Sequence, residues 1–596
     1  MEKLFDQFES VWSVDFEYTP IVGESPGPIC MVARELKTNK TFKYWEDELR
    51  TMAQPPFPIG KKSLFVSYYA PAEFSCFHAL GWHLPKNVLD LFVEFRNQTN
   101  VHMLRNKANL LSALLHYGLD ALTYEEKESM REIAIRGGPF TPAEKAALLD
   151  YCESDVAALQ KLLPMMLPHI DLPYALNRGR YMKAVSIIEK NGTPLDAERL
   201  MKLKQHWEAV KGQLVERIDK DFGVFEGQTF KRERFEQYLV THNLSWPRSE
   251  SGALMLDEDT FREMARTYPQ IAPIKELRHS LSQLRLSGLT VGRDGRNRTS
   301  VSPFRATTGR NQPSNAEFIF GPSCWLRGLI KPPPDHCIVY LDWSQQEFGI
   351  AAALSNDKRM KDAYLSGDPY LAFAKQAGAA PPEATKKTHS HVREQFKACV
   401  LAVQYGMGSE SLAARINQPR IQGRNLLQLH RETYPAFWNW SDAAVNQAML
   451  TSKLQTTFGW TVHIQTKAND RSLRNFPMQA NGAEMLRLAC CLMVEAGIEV
   501  CAPVHDAILI VAQKSEVERT VKKAKQLMED ASAIILDGFR LRSDEKVIAY
   551  PDRYMDERGE KMWNTVWEIV DELETEAEVK PKSKSSEENM GQLSLF

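Results

Sequence analysis

Residues 338–357 read IVYLDWSQQEFGIAAALSND, and the order of residue types within them decides the fold of most of the chain. An unbroken apolar run of strand length, Cys337–Leu341, meets Asp342, then a polar turn, then residues that favour a helix. Such a run predicts a strand buried on both faces. An acidic residue leaving a buried strand is costly unless it is solvated, paired or bound to a cation; capping the following helix is the plainer alternative. The arrangement recurs downstream, where IEVCAPVH precedes Asp506 and AILIVA follows it. Two aspartates at strand ends suit a divalent-metal site for phosphoryl transfer, which needs charge neutralised on both the attacking and the leaving oxygen.

Between them lies HVREQFKACVLAVQYGMG, residues 391–408. Arg393, Lys397, Leu401 and Tyr405 recur every fourth residue, so they drift along one face of a predicted helix. Two cations one turn apart, followed by an aromatic ring, can hold a triphosphate and stack a base. A solvated basic face above a core tyrosine is the other reading.

Working outward, 596 residues predict about three or four domains. With 43% hydrophobic and 25% charged residues the composition is that of globular proteins, which excludes wholesale disorder and collagen-like repeats. No apolar stretch approaches the ~18 residues of a membrane span. The first residues, MEKLFDQFES, are acidic where a secretory signal is basic. Nine cysteines without a CxxC pair predict reduced thiols and no zinc finger, hence a soluble intracellular protein. The formal net charge of −2 hides an asymmetry, because eight acidic residues and three lysines lie between Glu568 and Glu588. The remainder carries a small positive excess, compatible with a locally basic groove.

The N-terminal region alternates short apolar runs with loops and then turns helical, predicting an α/β unit that ends near LPHIDLPY, residues 167–174. Its strand SVDFEY places Asp15 and Glu17 on one face. These carboxylates repel unless solvated or bridged by cations. Tyr151 and Asp155, in YCESD, are one helical turn apart.

The three central segments resemble, in order, motifs A, B and C of the DNA polymerase I family (family A): DWSQQE its D-Y-S-Q-x-E, REQFKACVLAVQYG its R-x-x-x-K-x-x-x-F-G-x-x-Y-G, and VHDA its V-H-D-E. TTGRNQPSN at 307–315, Arg327 and NFPMQANGAE at 475–484 extend the resemblance over most of residues 180–550. It implies a multidomain α/β and α+β protein in which an RNase-H-like exonuclease domain precedes a right-hand polymerase. The expected organisation is an exonuclease domain over 1–175 and a polymerase domain over 176–573. Within the latter, a thumb would span about 180–300, a palm about 301–355 and 452–560, and fingers about 356–451. A disordered tail would occupy 574–596. The resemblance further implies that Asp342 and Asp506 hold two Mg²⁺, which Mn²⁺ can replace. Arg393 and Lys397 would grip the triphosphate of a dNTP, with Lys397 protonating the departing pyrophosphate. Glu347 would close against Tyr405 to reject a ribose 2′-OH. Arg310 (or Arg305, since RATT also fits), Arg471, Asn475, Gln479 and His505 would track primer–template DNA. Three positions depart from the family pattern: Leu401 stands for an aromatic, Gly349 for an arginine and Ala507 for a glutamate.

The N-terminal motifs resemble DEDD-type 3′–5′ exonucleases of the tyrosine variant, with Asp15, Glu17, Glu73 and Asp155 as metal ligands, two ions in the site, and Tyr151 orienting water. Glu73, in YAPAE, replaces an aspartate of that pattern, and Asp90 is the fallback. The last five residues, Gln592-Leu593-Ser594-Leu595-Phe596, resemble the bacterial sliding-clamp-binding peptide. The chain is similar to bacteriophage polymerases, including those of phages that replace adenine with 2-aminoadenine. The expectation is therefore a monomeric proofreading replicative polymerase in the cytoplasm of a bacterial host, with no membrane partner. The alternatives are an exonuclease with an impaired polymerase module and a clamp-tethered DNA-binding scaffold.

Overall fold

The computed structural model describes all residues except 101–107, 121–123, 250, 284–285, 322, 465–468 and 580–596. The chain divides into two compact units: residues 1–192, 300–313 and 335–547 form one, and residues 193–299, 314–334 and 548–596 the other.

The first unit begins with a five-stranded sheet of β1 (Ser10–Thr19), β2 (Gly27–Glu35), β3 (Thr41–Trp45), β4 (Ser63–Ser67) and β5 (Asn87–Asp90). Its order is β3-β2-β1-β4-β5, with β1 antiparallel to β2 and parallel to β4. The alternation of apolar runs and helix in the sequence leads one to expect such an α/β unit. Helix α1 (Ala70–Leu80) follows β4, and α2 (Pro142–Met166) lies over β1, where Ser13 Oγ donates to Val156 O and Cys152 Sγ to Asp15 O. Helix α3 (Leu172–Asn191), which a boundary at 175 would cut near its start, packs its Gly179 onto the backbone of β5. A Cβ there would stand 1.9 Å from Val88 O, so only glycine admits this approach.

The same unit holds a second sheet. It contains β6 (His336–Trp343), helix α4 (Gln346–Leu354) after it, α5 (Ser390–Gln404), α6 (Asp470–Glu495), the hairpin β7 (Glu499–Val504) and β8 (Ala507–Gln513), α7 (Val517–Ile535) and β9 (Ser543–Ala549). The strand order is β7-β8-β6-β9, and β8, nearly all buried, is antiparallel to both neighbours. Helix Leu91–Gln98 and the residues just after it join the N-terminal sheet to segments 304–307 and 458–461. Its Glu94 and Arg178 of α3 form a buried bidentate ion pair at 2.7 Å, and Arg178 also donates to Phe458 O at 3.1 Å. Arg96 donates to the carbonyls of Phe304 and Arg305, and Asn100 to those of Thr307 and Thr461.

The second unit is mainly helical. Ala197–Asp219 is an amphipathic helix that buries Leu200, Leu203, Trp207, Val210 and Leu214. It packs against Glu560–Val579. That helix corrects the expected onset of a disordered tail at 574: Lys202 neutralises Glu574 at 3.0 Å, so the acidic run continues as helix to Val579. Gln592–Phe596 lie outside the described residues. The nine cysteines are free thiols. Among the described residues no helix is long and apolar enough to cross a membrane.

Candidate functional site

Antiparallel pairing sets Asp342, near the end of β6, opposite Ala507, the first residue of β8. Val504 pairs with Ala507 as well, so His505 and Asp506 form a two-residue hairpin turn. His505 takes φ +57°, the left-handed conformation that such tight turns demand. The turn delivers Asp506 beside Asp342. Burial, reinforced by the charges of Asp506 and Asp544, pushes the Asp342 carboxyl up to about 7. Its Oδ1 is buried and accepts no hydrogen bond.

Beside this pair, Glu347 in the first turn of α4 shares a hydrogen bond with the Tyr405 hydroxyl, and Arg310 stands 3.6 Å from it. Burial raises the Glu347 carboxyl, while Arg310 and Tyr405 oppose the rise. Arg305 is exposed, with its carbonyl engaged by Arg96; it is Arg310 that reaches the cluster. Arg393 and Lys397 lie on α5 as the spacing predicts. Arg393 donates to Asp368 at 2.5 Å and to Glu394 at 2.6 Å, and lies over the Tyr370 ring at 5.3 Å. Burial would lower its pKa, but these carboxylates outweigh that and raise it. Lys397, more exposed, stands 3.7 Å from Glu394. Leu401 is half-buried one turn before Tyr405.

At the start of α6 the Arg471 side chain packs on Gly406, where a Cβ would lie 2.8 Å from its Cγ. Arg424, Arg431, Arg471 and Arg474 line a cavity of about 530 Å³ with Trp438 and Met407, and Arg431 stacks over Trp438 at 4.2 Å. Asn475 and Gln479 follow on α6, both half-buried, and His505 is exposed at the hairpin. Gly349 is closely packed: a Cβ there would stand 2.5 Å from Leu541 Cδ2 and 3.0 Å from Tyr364 Cε2, so a larger residue would have to displace the Leu541 side chain.

The second cluster forms over the N-terminal sheet. Asp15 and Glu17 of β1, Glu73 of α1 and Asp155 of α2 act on one another, and Tyr151 bonds to Asp155. Glu73 is only 4% exposed. Burial, then Asp15 and Glu17, raise its carboxyl well above the carboxylate range, against a hydrogen bond from the Phe16 N–H. Its Oε2 is buried without a partner. Burial and Asp155 raise the Tyr151 phenol. Asp90 does different work. It is fully buried and accepts from the N–H groups of Tyr69, Ala70 and Val93 at 3.3, 2.7 and 3.2 Å. It therefore caps the helix at 91 and holds Tyr69, whose φ of +74° starts α1. These bonds orient α1, and hence Glu73, while keeping Asp90 out of the cluster.

Among the described residues no three His, Cys, Asp or Glu side chains already stand in a metal-ligand arrangement. The donors nevertheless fit a hard divalent cation. They are carboxylate oxygens, and each cluster contains a buried oxygen with no hydrogen bond, Asp342 Oδ1 in one and Glu73 Oε2 in the other. Asp544, on β9, is the acidic neighbour that the sequence reading missed. It sits in LRSDEKVIAY, which reads as an ordinary charged edge strand.

Residues 198–542 match the family model for DNA polymerase family A. Over 426 residues the chain is 25% identical to DNA polymerase I of Chloroflexus aurantiacus, covering 65% of this chain and 44% of that protein. Over 435 residues it is 25% identical to DNA polymerase I of Aquifex aeolicus, covering 65% of this chain and 73% of that protein. The chain thus spans less than half of the first relative. The fold is similar, at a TM-score of 0.69 and 16% identity, to the POL domain of Pol1 from M. smegmatis in complex with DNA primer-template and dNTP, covering 93% of this chain and 96% of that one. The family match takes in more than half of the residues, including both strand-end aspartates, and the chain belongs to DNA polymerase family A.

Proposed function

We propose that the chain is a DNA-directed DNA polymerase with a 3′–5′ proofreading exonuclease, replicating phage DNA in the cytoplasm of a bacterial host. The observation that carries the reading is the convergence of Asp342 and Asp506 beside the Glu347–Tyr405–Arg310 cluster. Asp342 and Asp506 would hold two Mg²⁺, whose chemistry is to activate the primer 3′-OH and offset charge on the leaving pyrophosphate. Arg393 and Lys397 offer fixed positive charge to the triphosphate, which must compete with Asp368 and Glu394 for them. Lys397, the more accessible, is the proton donor to pyrophosphate. The bonded Glu347–Tyr405 pair blocks the space a 2′-OH would need, and admitting the hydroxyl would cost that bond. Arg310, Asn475, Gln479 and His505 contact the primer–template. The arginine-lined cavity with Trp438 suits single-stranded template ahead of the site, combining charge with a stacking surface.

In the exonuclease, Asp15, Glu17, Glu73 and Asp155 would hold a pair of divalent cations. The raised phenol pKa keeps Tyr151 protonated, so it orients the attacking water and does not remove its proton. A tether from Val579 to the Gln592–Phe596 peptide would bring the chain to a sliding clamp and raise its local concentration on DNA. Primer extension on a recessed 3′ end tests the whole reading: dNTPs should give extension, and their omission degradation. Failure to extend would refute the polymerase assignment, and failure to degrade would refute the exonuclease.

A further inference from the structure

Asp342 has a strand on each side. On the β8 side its partner is Ala507, which offers no oxygen, so the hairpin contributes only Asp506. On the other side runs β9, whose second residue is Asp544. Its charge acts on Asp342 just after that of Asp506. Its carboxylate has a fixed aim, because Ser344 Oγ donates to Asp544 Oδ2 at 2.6 Å. Ser344 is itself clamped: its N–H donates to Arg542 O at 2.9 Å, and its carbonyl accepts from the Tyr364 hydroxyl at 3.1 Å. The same hydroxyl accepts from Arg542 N–H at 2.9 Å, which closes the network between β6 and β9. Asp342 Oδ1 is buried and accepts no hydrogen bond from the protein, and the charges of Asp506 and Asp544 both act on its carboxyl.

We propose that Asp544 is the third carboxylate of the polymerase centre, aimed by Ser344, and that it helps Asp342 and Asp506 hold a divalent cation. The proposal rests on the polymerase reading of those two aspartates. Ser344 is a positioning residue. The assignment would also supply a carboxylate that Ala507 does not offer.

The test counts palm ions only, using the full chain with the exonuclease site silenced by Asp15→Asn and Glu73→Gln. Mn²⁺ binding is measured by electron paramagnetic resonance for this parent and for added Asp544→Asn, Asp544→Glu, Ser344→Ala and Glu545→Gln. Asp544→Asn should weaken Mn²⁺ by about tenfold or more, and Ser344→Ala by a smaller factor, as when a ligand loses its support. Asp544→Glu should recover most of the affinity, and Glu545→Gln should leave it unchanged. Melting without metal should show Asp544→Asn no less stable than the parent, since it removes a repulsion, while the rise in Tm on adding Mn²⁺ shrinks. The Mg²⁺ concentration for half-maximal extension should rise in parallel. Mn²⁺ affinity within twofold of the parent in Asp544→Asn would overturn the proposal, leaving Asp544 as a partner of Ser344 alone. A parent that binds Mn²⁺ but extends no primer would instead refute the polymerase reading.

Discussion

Over the N-terminal sheet, the groups that act most strongly on Glu73 and Tyr151 are other carboxylates. In the polymerase-family region, by contrast, acidic side chains are paired with cations: Glu347 with Arg310, Asp368 with Arg393 and Glu394 with Lys397. The contrast follows from the substrates the two sites would take. A phosphodiester carries one charge at the reacting phosphorus, and ions held by carboxylates suffice to offset it. A nucleoside triphosphate carries several, and fixed cations on a helix are needed besides. In the structure Asp368 and Glu394 hold the two helix cations, and a triphosphate would have to displace them.

The largest effect should come from separating the sites. Asp506→Ala should lower extension by at least about 10³-fold, since a two-metal clamp contributes several kcal/mol, and leave exonuclease rate within about twofold. Asp15→Ala should do the reverse. A single substitution that abolished both activities in a folded chain would break the comparison.

Next in size is the contrast between Glu73 and Asp90. Glu73→Gln should cut degradation of single strands by roughly 10²-fold or more without loss of thermal stability. Asp90→Asn should instead lower stability by about 1–3 kcal/mol, because it strips buried N–H groups of their acceptor. Denaturant melts and nuclease assays on the folded fraction distinguish the two. Wild-type exonuclease in Glu73→Gln would remove Glu73 from the site.

Sugar selection should respond more modestly. Glu347→Ala should reduce the preference for deoxynucleotides over ribonucleotides by about 10–100-fold, measured as the ratio of kcat/KM values. An unchanged ratio would move the gate away from the Glu347–Tyr405 pair. The smallest expected effect concerns pH. With its pKa raised to about 7, Asp342 is mostly protonated below that pH and must release the proton to bind a cation. The Mg²⁺ needed for half-maximal extension should therefore rise by about tenfold per unit as pH falls below 7, and stay flat above 8. Dependence on pH that excess Mg²⁺ fails to relieve would contradict this linkage.

Asp342 and Asp506 were legible because each interrupts an apolar run, a pattern that needs no alignment to see. The helix carrying Arg393 and Lys397 was legible from spacing alone. Gly349 was not: its surroundings are set by Tyr364, 15 residues on, and by Leu541, 192 residues on. The choice between Glu73 and Asp90 was hidden for a similar reason, since backbone N–H groups, which no sequence pattern displays, claim Asp90. Composition misled at Glu574, where acidity was read as disorder although a basic helix distant in sequence neutralises it.

The Glu94–Arg178 pair bears on how the chain can be engineered. Both side chains are almost wholly buried, and the side chains of Arg96 and Asn100 in the same stretch donate to carbonyls at 304–307 and 461. Cutting away the N-terminal sheet would strand Arg178 as an unpaired buried charge, a cost of about 3–5 kcal/mol, and would leave several carbonyls bare. The N-terminal sheet is thus not a detachable cassette, and silencing the carboxylate cluster over it is better done by replacing side chains than by truncation.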